Sequence, residues 1–220
     1  MNDALATLGT GFARPVHSAQ QAFRTVLQAF SHPGRVLTLS AETTEGVQAP
    51  PPLNLATTIA LLTLLDGETS VHLAGVLHSD AALAYLRFHC GVRSNPLDQA
   101  GYTVVHGADL PAAGWPDLPL GSDEQPQLGA TLVVEVDGLD ERVPLPGAVL
   151  LRLQGPGIAV EQTLAVVGPP VSFWAWRRAL QREYPRGFEL LLTCGDRLAT
   201  LPRSTQIFFE DEPERPCTSR

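Results

Sequence analysis

From Pro15 to Phe30, apolar positions recur at helical spacing: Val16, Ala19, Ala22, Phe23, Val26, Leu27 and Phe30 share one broad face. The pattern predicts an amphipathic helix packed along that face, with Pro15 suited to its first turn. Ser31-His32-Pro33-Gly34 ends the helix and turns the chain into a strand over 35–39. Residues 40–52 end in three consecutive prolines and are expected to form an exposed loop. Asn54 can cap a helix over 55–65 that is apolar nearly all round, which predicts a buried one. A short strand over 69–73 follows. Ser79 then caps a helix from Asp80 to about His89, Asp80 complements its positive end, and Gly91 closes it.

Beyond residue 100 the pattern shortens towards strands. Tyr102 to His106 and Gly129 to Val136 read as strands, separated by a Pro-, Gly- and Asp-rich excursion over 108–128. A loop of that length in a compact domain is often a binding or interface element. Residues 137–146 read as a polar turn. Ala148 to Leu153 is nearly unbroken in apolar character, which predicts a strand buried on both faces. Gly155-Pro156-Gly157 stops it, and 162–167 is a further strand. Phe173, Trp176, Leu180 and Tyr184 mark one face of a helix over 173–184, with Arg177, Arg178, Gln181 and Arg182 opposite and Pro185 and Gly187 ending it. Phe188 to Thr193 and Arg197 to Leu201 form a hairpin about Gly195-Asp196. Helices alternating with strands, followed by clustered strands, predict an α/β fold: a three-layer α/β/α sandwich with a mixed sheet. The expected division is a loosely held arm over 1–14, one domain over 15–209 and a frayed polar tail over 210–220.

Composition narrows the chemistry. All 15 basic residues are arginine, so the chain has no lysine for a Schiff base, for covalent pyridoxal phosphate or for a Walker A loop. A net charge of −8 argues against non-specific nucleic-acid binding. No apolar run is long enough to cross a membrane, and the first residues carry no signal-peptide pattern. Cys90, Cys194 and Cys217 have no zinc-site or redox spacing. A cytoplasmic protein without structural metal is expected.

Candidate chemistry is sparse. Gly155-Pro156-Gly157 follows a strand, but Val160 stands where a dinucleotide fingerprint needs its third glycine, so a simple chain reversal is the favoured reading. His17, His32, His72, His78, His89 and His106 show no metal-ligand spacing; His32, in a turn near Arg35, is the one singled out. Arg152, Arg197 and Arg203 fall on or next to the C-terminal strands. With Arg35 and His32 they can grip a phosphate or phosphonate, or the arginines can pair with a carboxylate across a subunit interface, which is favoured. Ser79, Ser172 and Ser204 lack a nucleophile elbow. Cys194 is expected as a buried small side chain and Asp196 as a turn former. Trp115, Trp174 and Trp176 suit either the core or an interface.

Several segments, taken in order, resemble one family. They are Pro-Val-His-Ser-Ala-Gln-Gln-Ala-Phe-Arg (15–24) with Phe-Ser-His-Pro-Gly (30–34), Leu-Leu-Asp-Gly-Glu-Thr (64–69), and Leu-Gly-Ser-Asp-Glu-Gln-Pro-Gln-Leu-Gly-Ala-Thr-Leu (120–132). Leu-Gln-Gly-Pro-Gly-Ile (153–158) and Gly-Asp-Arg-Leu-Ala-Thr-Leu-Pro-Arg-Ser-Thr (195–205) complete the set. Together they span nearly the whole domain and resemble the PhnH family of the bacterial carbon–phosphorus lyase system. The resemblance implies a homodimeric subunit that works with the G, I and J subunits in alkylphosphonate breakdown through a nucleotide-linked intermediate. It also implies a fold like that of pyridoxal-phosphate-dependent transferases, without the cofactor. Two roles stay open on this reading: a non-catalytic assembly subunit, or one with its own phosphonate- or nucleotide-binding site.

Overall fold

A computed structural model describes residues 8–111 and 114–209. The first helix, α1 (Pro15–Ser31), buries Ser18, Ala22, Val26 and Ala29. That face is rotated from the predicted one. Small residues let α1 lie close to its neighbours, and Val16, Phe23 and Leu27 remain outside. A turn then delivers β1 (Leu37–Thr38), shorter than expected. The expected loop over 40–52 contains a single helical turn, α2 (Ala41–Thr44), capped by Ser40, whose Oγ accepts from the Thr43 N–H. Asn54 caps α3 (Leu55–Leu64) as predicted: its Oδ1 accepts from the Thr57 N–H at 2.8 Å, and residues 56–61 are buried. Ser79 caps α4 (Asp80–Cys90), between β2 (Ser70–Leu73) and β3 (Arg93–Ser94), and Gly91 ends it at φ +70°.

The main sheet has seven strands in the order β1-β10-β9-β5-β4-β2-β3, where β4 is Tyr102–His106, β5 Thr131–Glu135, β9 Glu189–Cys194 and β10 Arg197–Leu201. β3, β2, β4, β5 and β9 run parallel; β10 and β1 complete one edge antiparallel. The sheet is mixed, as predicted. Its two faces differ. Val104, Val133, Leu191 and Leu198 point into a core shared with α1, α3 and α4. The alternate residues Val105, Leu132, Val134, Leu190 and Leu192 point the other way.

There the expected helical layer is replaced. A second, antiparallel sheet covers that face, in the order β11-β7-β8-β6: Gln206–Phe209, Val149–Gln154, Gln162–Val167 and Gly138–Asp140. Only one helix joins it, α5 (Val171–Ala179), through Phe173 and Trp174. β7 is therefore not buried on both sides. Leu151 and Leu153 face the core while their neighbours are half-exposed, as in a one-faced antiparallel sheet. β6 lies within the expected polar turn. With three residues it is too short to display a period, and Gly138 sits against Val167 and Leu145 where no side chain fits.

Residues 1–7 of the expected arm and the whole expected tail lie outside the described residues. Residues 9 and 10 are held to the domain: the Tyr85 hydroxyl donates to the Thr10 carbonyl at 3.0 Å and His89 Nε2–H to that of Gly9 at 3.0 Å. Among the described residues no helix is long and apolar enough to cross a membrane.

Candidate functional site

The turn carrying His32 is built by close packing. Gly34 has φ +79°, and a Cβ there would stand 2.4 Å from Leu153 Cδ1. At Gly157, φ +86°, a Cβ would stand 2.5 Å from the Ser31 carbonyl oxygen. The Ser-His-Pro-Gly and Gly-Pro-Gly turns thus lean on each other, and Gly155-Pro156-Gly157 is the reversal between β7 and β8. His32 is exposed, and its Nδ1–H donates to the Gln28 carbonyl at 3.1 Å. Arg35 is exposed beside it. Arg152, on β7, lies opposite Thr163 and Phe208, with a guanidinium nitrogen 3.7 Å from Glu161 Oε2.

Arg203 is engaged elsewhere. Its Nε donates to Glu189 Oε1 at 2.5 Å and its backbone N–H to Oε2 at 3.0 Å. Its Nη1 donates to the carbonyls of Pro126 and Pro185. The residue fastens the 108–128 excursion and the turn after α5 to the start of β9. Arg203 is bonded to Glu189, whereas Arg152 lies by Glu161.

The three tryptophans also divide. Trp174 has no exposed surface and is a core residue, not an interface one. Trp176 stacks on Phe188 at 5.3 Å, with Gly114 laid flat against its indole. Trp115 packs half-buried on the same core, so this pair ties the excursion to α5.

α5 also differs from its sequence pattern. The α-helix stops at Ala179 and a 3-10 turn carries Leu180–Glu183, which leaves Tyr184 exposed. Arg177, expected on the polar face, is 2% exposed. Its guanidinium donates to the Pro202 carbonyl at 2.8 Å and lies 5.2 Å from the Phe188 ring centroid. Its Nε has no hydrogen-bond partner among the described residues. Burial pushes its pKa down to about 10, assisted by Arg203 and opposed by Glu189.

A polar cluster that sequence reasoning did not nominate lies at the carboxyl ends of the parallel strands. Open α/β sheets generally place ligands at this edge. His106 and Glu135 end β4 and β5, Thr193 is the penultimate residue of β9, and the three are direct register neighbours. Glu135 is 6% exposed; its Oε1 accepts from the Asn54 N–H at 2.7 Å. Burial raises its pKa, and the Asn54 N–H, the Thr57 hydroxyl and His106 partly offset this. Thr57 and Thr193 share a hydroxyl–hydroxyl bond of 2.7 Å. His106 Nδ1 accepts from the Ala108 N–H at 3.3 Å, which leaves its proton on Nε2, 3.5 Å from Asp137 Oδ1. Both imidazole nitrogens are therefore engaged. The cluster fixes the entry to α3 and can hold a proton. Its one sequence signal was a polar residue ending each of two strands, and nothing in the sequence said that those strands were neighbours.

Elsewhere the surface carries two open clefts. One of about 400 Å³ lies at the amino ends of β4 and β5, beside Asp98, Tyr102 and Gln127. The other, of about 510 Å³, lies between residues 8–13 and Phe88. Among the described residues no group of three or more His, Cys, Asp or Glu is placed to hold a metal ion.

Comparison with known proteins decides the family. The profile described as "Bacterial phosphonate metabolism protein (PhnH)" matches residues 10–208. The chain belongs to the PhnH family. A Rhizobium meliloti (strain 1021) protein, "Alpha-D-ribose 1-methylphosphonate 5-triphosphate synthase subunit PhnH", is 36% identical over 202 residues, 89% of this chain and 93% of its own. A Stutzerimonas stutzeri protein, "Putative C-P lyase subunit protein HtxG", is 36% identical over 188 residues, 86% of this chain and 85% of its own. The PhnH match takes in both sheets, the five α-helices of the described residues, Arg177 and the Glu135 cluster, so the relationship concerns the whole domain.

Proposed function

We propose that this chain is a supporting subunit of the carbon–phosphorus lyase complex in alkylphosphonate breakdown, aiding formation of the nucleotide-linked phosphonate intermediate. The observation that carries this reading is PhnH membership over nearly the full domain, with relatives named as subunits of such an assembly. The engagement of Arg203 with Glu189 and of Arg152 with Glu161 supports it, since neither arginine is held open for a phosphonate. The partners on this reading are a second copy of the chain and the G, I and J subunits, in the cytoplasm. The family's likeness to pyridoxal-phosphate-dependent transferases is then one of fold, because a chain without lysine cannot hold that cofactor as an internal Schiff base. The purified subunit with ATP and methylphosphonate should give no new phosphorus NMR signal beyond a protein-free control. A new phosphorus species would overturn the supporting role and assign this chain its own chemistry.

A further inference from the structure

The carboxyl edge of the parallel strands, where an open α/β sheet generally takes its ligand, is filled by the chain's own groups. Glu135 accepts from the N–H at the head of α3 at 2.7 Å. Asp109 Oδ2 accepts from the Val76 N–H at 2.8 Å, tying the loop after β4 to the loop after β2. Pro169 packs on Gly107, where a Cβ would stand 2.8 Å from its ring. The opposite edge is open. There the cleft of about 400 Å³ stands at the amino ends of β4 and β5.

Backbone contacts hold this cleft in shape. The starts of β4 and β5 are joined by the Thr131 N–H, which donates to the Gly101 carbonyl at 2.8 Å. One wall is the 3-10 turn Leu97–Gln99; the Gln99 carbonyl accepts from Asn95 Nδ2 at 3.1 Å and from Ser70 Oγ at 3.2 Å. The other wall is the 3-10 turn Pro126–Leu128 together with Pro119. Leu120 bridges to Gly129, the Ala130 N–H donates to the Pro119 carbonyl at 2.8 Å, and Arg203 donates to the Pro126 carbonyl. The charge of Arg203 is matched there by Glu189. A cleft built in this way is formed before its ligand arrives, so binding costs little ordering.

The lining combines two kinds of surface. Leu128, 61% exposed, and Pro119 are its apolar part. Asp98, Gln99 and Gln127 bring a carboxylate and two amides, and none of these three side chains has a hydrogen bond or ion pair among the described residues. No arginine or histidine is among the described residues that line the cleft. The pKa of Tyr102, also in the lining, is raised by burial and then by the charge of Asp66, which marks a negative field on this side. A phosphate or phosphonate finds no countercharge in such a lining. An alkyl chain ending in a cation finds both parts it needs, apolar surface for its methylenes and a carboxylate for its head.

We propose that this cleft binds an alkylguanidinium or alkylammonium group, with Asp98 pairing the charge and Leu128 covering the methylenes. The same chemistry is offered by a free organic cation and by an arginine or lysine side chain of another protein. A ligand of that size in a preformed cleft binds with a Kd on the order of 1 mM.

The probe is Nα-acetyl-arginine amide, with its neutral urea isostere Nα-acetyl-citrulline amide beside it, each titrated to about 20 mM into the full chain and followed by amide NMR. The expected result is a set of saturable shifts confined to residues 98–102 and 127–131, given by the arginine compound alone and weakened by added salt. Asp98→Asn should raise the Kd about tenfold and Leu128→Ser about threefold, with spectra otherwise unchanged. Asp117→Asn, exposed and outside the cleft, should leave the Kd as it was. Recovery of Asp98→Asn from cells expressing the complete gene cluster separates the two sources. Loss of partner subunits that the parent chain retains assigns the cation to a partner, and an unchanged complex assigns it to a free ligand. No shift at the highest concentration, equal binding of the two compounds, or a Kd indifferent to Asp98→Asn overturns the site and leaves the supporting role proposed above standing.

Discussion

Arg177 offers the sharpest test of how the second core is held together. A guanidinium 2% exposed, whose pKa burial pushes down to about 10, carries a burial cost of roughly 3 kcal/mol. Its bond to the Pro202 carbonyl returns about 2 kcal/mol, and its place over Phe188 about 1 kcal/mol. The charge is therefore close to neutral for stability, and what Arg177 supplies is volume between α5 and β9. Arg177→Met keeps most of that volume without the charge, so its stability should lie within about 1 kcal/mol of the parent. Arg177→Ala leaves a cavity and should cost about 3 kcal/mol. For a chain of this size that separates the two melting temperatures by roughly 4–12 °C. Thermal unfolding followed by circular dichroism at neutral pH reads the difference directly. If Met is as damaging as Ala, the cation itself holds the fold and the assignment to volume is wrong.

Three further outcomes follow from named contacts. Glu135→Gln keeps an acceptor for the Asn54 N–H but removes a buried charge. Because burial raises the Glu135 pKa, the folded state binds the proton more tightly and wild-type stability falls as pH rises through that range. The variant should gain on the wild type as pH rises above the ordinary carboxylate value of 4.5 in melting experiments; a difference independent of pH would contradict the burial argument. Gly34→Ala forces a methyl onto Leu153 at a positive φ and should destabilise by about 2 kcal/mol in urea, whereas Gly147→Ala, with nothing within 4 Å of the added carbon, should cost about 1 kcal/mol from φ alone. Arg203→Ala breaks the bond to Glu189 and frees the excursion; a loss of roughly 2 kcal/mol and new proteolytic cleavage within residues 108–128 are expected, and an unchanged digestion pattern would refute the fastening role.

Local signals were legible wherever one residue type settles a conformation. Asn54, Ser79 and Gly91 bound their helices as their side chains or φ values dictate. The parallel strands β4, β5 and β9 were predicted as strands, and residues on both of their faces are buried. Layer order was not legible. The second sheet depends on β6, too short for a period, and on β11, and on pairings that no local pattern encodes. Amphipathic faces were placed imperfectly for a related reason. Periodicity locates a stripe, but small residues such as Ser18 and Ala22 decide which side approaches most closely, so Phe23 and Leu27 stand outside. Arg177 shows the same limit in reverse, since its burial follows from the 3-10 turn after Ala179 and from the Phe188 ring beneath it. Glu135 and His106 became a cluster only once β4 and β5 were adjacent.

Whether this PhnH-family domain works inside a multi-subunit assembly is tested most directly by affinity purification. The tagged chain is recovered from cells expressing the complete phosphonate gene cluster, and the product is measured by light scattering and subunit mass determination. The predicted result is a stoichiometric complex containing this chain with the G, I and J subunits. Recovery of the chain alone, with an active assembly of the other subunits formed in its absence, would contradict the account.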